Sequence, residues 1–281
     1  IDAPGLTFIG SGAFATCAAL TNFVLNASNL TDIRNEAFSG ASLSNCDVDA
    51  WTLTAVTNIG ENAFLKSGAT GRLLLPVVQI IGGHAFQGTR FQEVVLSSPE
   101  PTLRYVGPSA FESCSTQMTN LTMNARALAS VPYMAFAGVP IHDLVLVSPD
   151  LTSIGRGFPN CTSLTNLVLD APNLRTIGEV AFFGAPLSGT RADSWHVPAL
   201  QSIGDQAFGG SAMLPGTLTM TSCVSIGSYA FGGNKGITNL VLTAPGLTTI
   251  GEQPFSGGSV QSLTLIGTNI GSLLEKDKHL M

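Results

Sequence analysis

The chain has 281 residues and a formal net charge of −6, with 44% hydrophobic but only 11% charged residues. Twelve Lys and Arg, spread along the whole length, exclude a phosphate-tracking surface for nucleic acid, which needs clustered cations. No apolar run reaches the roughly 18 residues of a membrane-spanning helix, and no basic n-region and apolar h-region open the chain.

From the first residues onward the chain repeats itself. Ile1-Asp2-Ala3-Pro4-Gly5-Leu6 matches Leu169-Asp170-Ala171-Pro172-Asn173-Leu174, so the chain is expected to begin at the end of a strand, as a piece of a longer array. Ile9-Gly10-Ser11-Gly12-Ala13-Phe14 follows, and this Ile-Gly-x-x-Ala-Phe segment recurs with phenylalanines at Phe14, Phe38, Phe64, Phe86, Phe111, Phe136, Phe158, Phe182, Phe208, Phe231 and Phe255. The gaps between them run from 22 to 26 residues, a period that belongs to stacked structural units. A single repeat solenoid of about eleven units over residues 1–281 is expected.

Each unit carries a second pattern about six residues after its Phe, as in Leu164-Thr165-Asn166-Leu167-Val168-Leu169. Period-two alternation of Leu and Val predicts a strand with one face inward, and the stacked strands predict one parallel sheet along one side. A turn such as Asp170-Ala171-Pro172-Asn173 ends it, with Pro fixing φ and Asn tolerating positive φ. The Gly after Ile, as in Gly60, Gly107 and Gly204, is read as a bend where a Cβ would clash or φ is positive; Arg34 and Pro132 replace it in two units. Short 3₁₀ or α turns are expected around segments such as Glu179 to Phe182, and each Phe is expected to stack on the next inside the coil.

Leu-x-x-Leu-x-Leu followed by Leu-x-x-Ile-Gly-x-x-Ala-Phe-x-x-Cys resembles the BspA-like (Treponema-type) class of leucine-rich repeats. Leu164 to Phe182 reads almost as that consensus, and Phe158-Pro159-Asn160-Cys161 supplies its Phe-x-x-Cys corner. The resemblance covers essentially all of residues 1 to 271. It implies a secreted or cell-surface protein of adhesion or recognition, located outside the cell, with a host, matrix or other protein as partner.

A longer register lies within the short one. Leu20-Thr21-Asn22 recurs 144 positions later as Leu164-Thr165-Asn166, and Cys17 pairs in this way with Cys161, Phe38 with Phe182 and Trp51 with Trp195. Six units were duplicated together. Both Trp fall in 26-residue units whose turn is enlarged, and two readings are open: Trp51 and Trp195 project as binding anchors, or each covers the apolar edge of its longer loop. Five cysteines (Cys17, Cys46, Cys114, Cys161 and Cys223) occupy positions of small or branched apolar residues and are read as buried thiols.

Convergent titratable groups are scarce. His84, His142, His196 and His279 lie at different places in different units, and no Cys-x-x-Cys, His-x-x-x-His or carboxylate-rich loop supports a metal. No catalytic residue, cofactor or metal is assigned. Four sequons, at Asn26, Asn29, Asn120 and Asn160, are candidate glycosylation sites in a secreted eukaryotic protein. The outward strand face carries Val24, Val95, Thr122, Val145, Val168 and Val241, flanked by Asn22, Asn120, Asn166 and Asn239. A semi-apolar stripe with amide edges is the composition of a protein-binding face, although β-branched residues also favour strands for packing reasons alone. The chain is therefore read as a non-enzymatic recognition protein binding a macromolecule through its sheet; the alternative is a structural element of a coat or filament that associates with itself.

Overall fold

The computed structural model describes residues 1–44, 51, 53–96, 102–114, 120–123, 126–191, 194–213, 220–236, 238–259 and 261–266. Cys46 and His279 lie outside these residues, as do the side chains of Asn120, Thr122 and Asn239. The chain divides into two compact units, the first formed by Ile1–Leu128 with Pro132–Asp143 and the second by Ala129–Val131 with Leu144–Met281. Each is a parallel β-solenoid.

Two kinds of strand recur. In the first unit the dipeptide ending in the motif Ile forms β1 (Phe8–Ile9), β2 (Asp32–Ile33), β3 (Asn58–Ile59), β5 (Ile80–Ile81) and β7 (Tyr105–Val106), paired in parallel and in register. The longer strands β4 (Thr70–Leu74), β6 (Arg90–Leu96) and β8 (Asn120–Met123) form a separate parallel ladder, with a bulge between Gly71 and Arg72. In the second unit the short ladder is β9 (Ser130–Val131), β11 (Ser153–Ile154), β13 (Thr176–Ile177), β14 (Ser202–Ile203), β15 (Ser225–Ile226) and β17 (Thr249–Ile250). The longer strands there are the neighbours β10 (Asp143–Val147, of which Leu144 onward belongs to this unit) and β12 (Asn166–Asp170), and the pair β16 (Asn239–Thr243) with β18 (Ser262–Ile266). One sheet was expected; among the described residues each unit holds its longer strands and its short ladder in separate sheets. The Leu-x-Leu strand is also not formed everywhere: Asn22–Leu25 keeps its alternation of burial but is not a strand. Its link to the preceding turn is the Ile1 nitrogen donating to the Val24 carbonyl and the Asp2–Asn26 bridge.

The corner between the two strand types is where expectation and structure differ most. The Phe amide donates to the carbonyl of the residue before Phe in the next turn: Phe14 to Ala37 at 2.7 Å, Phe38 to Ala63 at 2.7 Å and, in the second unit, Phe182 to Ala207 at 2.8 Å. Amides two residues before and after Phe do the same, as with Gln206 to Ser228 and Gly210 to Gly232, both at 2.8 Å. The intervening amides close i to i+3 turns within the unit, Ala63 to Gly60 and Leu65 to Asn62 among them. This alternation requires left-handed backbone on both sides of Phe, at Asn62 (φ 57°) and Lys66 (φ 53°) for Phe64, and at Gln206 (φ 52°) and Gly210 (φ 78°) for Phe208. A left-handed residue two positions before and two positions after Phe forbids a continuous helix through it. The expected short helical turns are replaced by hydrogen-bonded turns, and among the described residues no helix is formed around the Phe positions. At Phe158, where Ile154 lies one residue nearer to Phe than in other units, Arg156 does not take the left-handed conformation.

Inside each coil the motif phenylalanines stack. In the first unit Phe14, Phe38, Phe64, Phe86, Phe111 and Phe136 follow one another at centroid distances of 5.0–5.5 Å, and in the second Phe158, Phe182, Phe208, Phe231 and Phe255 at 5.2–5.7 Å. The rings are near parallel, within about 22°, because the ladder carries each ring into the same orientation one turn later.

The bend glycines are needed for space. A Cβ on Gly60, Gly82, Gly107, Gly204, Gly227 or Gly251 would sit 2.3–2.5 Å from the nearest atom of the preceding turn, with backbone at 2.5 Å or closer in every case. None of them has positive φ, which corrects that half of the expectation. Gly10, with no atom within 4 Å, is free of the constraint. Where Arg34 replaces this Gly, its guanidinium lies over the Phe8 ring at 4.0 Å.

The cysteines behave as interior thiols. Among the described residues there is no disulfide; Cys114, Cys161 and Cys223 are buried and Cys17 is partly so. Cys114 Sγ lies 3.1 Å from the Phe86 carbonyl and 3.5 Å from Thr89 Oγ1. Burial pushes the Cys114 thiol from 9.0 up to about 12 and Cys223 up to about 11.

Two outcomes are expected from this packing. Gly107→Ala should lower unfolding free energy by about 1–3 kcal/mol in denaturant titration, whereas Gly10→Ala should stay within about 0.5 kcal/mol. Because Cys114 and Cys223 hold their protons more tightly when folded, their contribution is constant below about pH 9 and stability is lost as pH rises from there toward 12. Cys114→Ala should flatten that alkaline slope in thermal melts, and on the native wild-type chain at pH 8 a thiol reagent should label Cys17 well before Cys114.

Candidate functional site

The alternation along β10 and β12 decides which residues reach solvent. Leu144, Leu146, Leu167 and Leu169 point into the core, and Val145 (40% exposed) and Val168 (48%) point out from neighbouring strands, with Asp143 and Asn166 two residues earlier on the same outward face. Farther along the second unit Val241 is half-buried and pairs with exposed Thr264. In the first unit the same register exposes Val24 (59%), Leu74 and the half-buried Val95, with Asn22 exposed beside Val24. Arg72 and Glu93 on β4 and β6 form an ion pair at 2.9 Å that borders this face.

Trp51 does not project. It is 6% exposed, its Nε1 donates to the Phe23 carbonyl at 2.9 Å, and its ring meets Phe23, Phe38 and Phe64 at 5.2–6.1 Å. Trp195 occupies the duplicated place with its ring 5.3 Å from Phe208, but its buried Nε1 finds no partner. Leu167 stands where the other copy has Phe23, so the surroundings of the two Trp were not copied intact. Of the sequon residues, Asn26, Asn29 and Asn160 are exposed; Asn26 donates to Asp2 Oδ1 at 2.8 Å, and Asn160 sits in the left-handed corner position at φ 58°.

Among the described residues titratable groups meet at most in pairs. His84 pairs with Gln87 at 3.1 Å, and His196 meets Asp170 at 2.9 Å on an exposed surface. Among the described residues no cluster of three His, Cys, Asp or Glu could hold a metal ion, and no helix is long and apolar enough to cross a membrane.

The second ladder exposes a column that Leu-spacing does not reveal. Its outward residues in the first unit are Phe8, Asp32, Asn58, Ile80 and Tyr105, and in the second Ser130, Ser153, Thr176, Ser202, Ser225 and Thr249. From Thr176 to Thr249 these hydroxyl residues floor an open groove of about 440 Å³, bordered by Asp205 and Ser228 and by the bend glycines. The residue before each motif Ile was the available signal for it.

A family model for the BspA type leucine rich repeat region, with six copies, matches residues 1–115, 79–214 and 158–274. Among solved structures, a leucine-rich repeat protein from Bacteroides ovatus shares 18% identity over 90% of this chain and 74% of its own, with a TM-score of 0.45. The pneumococcal vaccine antigen PcpA shares 17% identity over 94% of this chain and 68% of its own, with a TM-score of 0.37. No curated protein matches the sequence. The duplicated Phe corner, the paired parallel ladders and the family match over nearly the whole length make this chain a member of the BspA-type leucine-rich-repeat family.

Proposed function

We propose that this chain is a non-enzymatic recognition module of an extracellular or cell-surface protein, and that it binds a protein partner through the outward face of its longer strands. The observation that carries the reading is the exposed pair Val145 and Val168 on the neighbouring strands β10 and β12, with Asp143 and Asn166 beside them. An apolar centre with a polar edge is the composition of a protein-binding patch. A strand face needing only solubility is served by Thr, which is β-branched like Val and shares its preference for strands. Rigid parallel ladders hold the patch in place, so little ordering entropy opposes docking. The scarcity of converging titratable groups among the described residues agrees with a binding role.

The double variant Val145→Lys, Val168→Lys should leave circular dichroism and the melting temperature near wild type, since both side chains point outward. It should abolish binding to immobilised extracellular-matrix protein in biolayer interferometry. Loss of self-association in sedimentation, with no matrix binding by either form, would replace recognition with the coat or filament reading.

A further inference from the structure

At the Phe corner of the second unit, on a different surface from the valine face, the chain departs from its own pattern. The residue after the motif Phe is a side-chain-bearing residue in nine of the eleven units, from Ala15 and Ser39 through Phe183 to Ser256, but Gly209 and Gly232 hold that place in two consecutive units. The next residue is also Gly in both, Gly210 and Gly233. Two turns therefore lack side chains at two adjoining corner positions, leaving an open notch of about 280 Å³ floored by Gly209, Gly210, Gly232 and Gly233. Phe183 and Tyr229 flank it, 38% and 36% exposed. The Phe183 ring rests against Gly209, where a Cβ would lie 2.9 Å from the ring, and a Cβ on Gly232 would lie 3.2 Å from that of Tyr229. The glycines thus make room for the aromatic walls as well as for a ligand.

The backbone amides of the notch are committed and its side-chain polar groups are not. Gly210 and Gly233 spend their amides on the ladder, donating to Gly232 and Ser256. The Gln206 amide, the Tyr229 hydroxyl and the Ser256 hydroxyl make no side-chain hydrogen bond within the protein, and no charged side chain lines the space. A wholly apolar occupant would take water from these three groups without replacing it. A charged one would find no counter-ion. We propose that this notch binds one neutral pyranose ring of a glycan: ring C–H groups against Phe183 and Tyr229, hydroxyls against Gln206, Tyr229 and Ser256. Its volume lies just below the range of pockets for drug-sized ligands, which suits a single ring and leaves the rest of a glycan in solvent.

The test is saturation-transfer NMR of the full 281-residue chain with methyl glucoside, methyl galactoside, methyl mannoside and N-acetylglucosamine. At least one pyranoside should receive saturation at its ring protons, with affinity falling about tenfold in Phe183→Ser and in Tyr229→Ser, as expected on losing one aromatic contact. Gln206→Ala, which removes an exposed side chain without internal partners, should weaken binding in a chain of unchanged melting temperature. Val168→Lys should bind the sugar as wild type does, so that failure of the valine face and failure of the notch are told apart. Absence of transfer from all four sugars would overturn the proposal. So would transfer indifferent to all three notch variants, or binding of a Pro-Phe peptide at the notch in place of the pyranosides.

Discussion

The approach of one turn's backbone to the next governs everything else in this molecule. At the Phe corner the amide of a motif Phe reaches a carbonyl of the following turn of its unit at 2.7–2.9 Å, from Phe14 to Phe111 and from Phe158 to Phe231, and that bond sets the repeat distance at which all other layers must fit. Rings carried by the ladder are placed about 5 Å apart, a spacing at which aromatic faces stack with an offset. The same approach leaves no room for a Cβ at the bend, hence glycine at Gly60, Gly107 and Gly204. A side chain that keeps the rise and fills the interior is accepted at the Phe corner; one that widens the rise strains the ladder on both sides.

Such a scaffold separates stability from recognition. Phe in every unit, and Ala, Ile and the bend Gly in most of them, serve the interior, so they carry no information about a partner. The outward positions are those the ladder leaves free to vary: the valines of the longer strands, the residue before Ile on the short ones, and the residues after Phe at the corner. A substitution there changes the surface without changing the rise, which is how Gly209 and Gly232 can clear a notch while their amides close turns onto Gln206 and Tyr229 and their carbonyls accept from Gly184 and Gly210 of the preceding turns.

Leu-x-Leu alternation announced the longer strands, and their inward and outward residues fall as that alternation requires. The short ladder was hidden by its length, because two residues cannot display a period. The corner was misjudged for a related reason. Glu-x-Ala-Phe has helical propensity locally, yet Asn62, Gln206 and Tyr229 are held at positive φ, since only that geometry turns alternate amides toward the next unit. Local preference gives way where several hydrogen bonds per turn depend on the opposite choice. Trp51 shows a third limit: composition marks Trp as a binding residue, and only its neighbours Phe23, Phe38 and Phe64 reveal an interior one.

Periodicity alone determined that the chain is a stack, how long each unit is, which residues line its interior and that blocks of six units share one register, because an interior repeated at fixed rise demands the same residues at the same spacing. Tertiary structure decided the second sheet, the left-handed corner, the burial of Trp51 and the notch between Phe183 and Tyr229. Each of these depends on contacts between residues about 24 positions apart, where the chemistry of a neighbour in the next turn matters more than that of a neighbour in the chain.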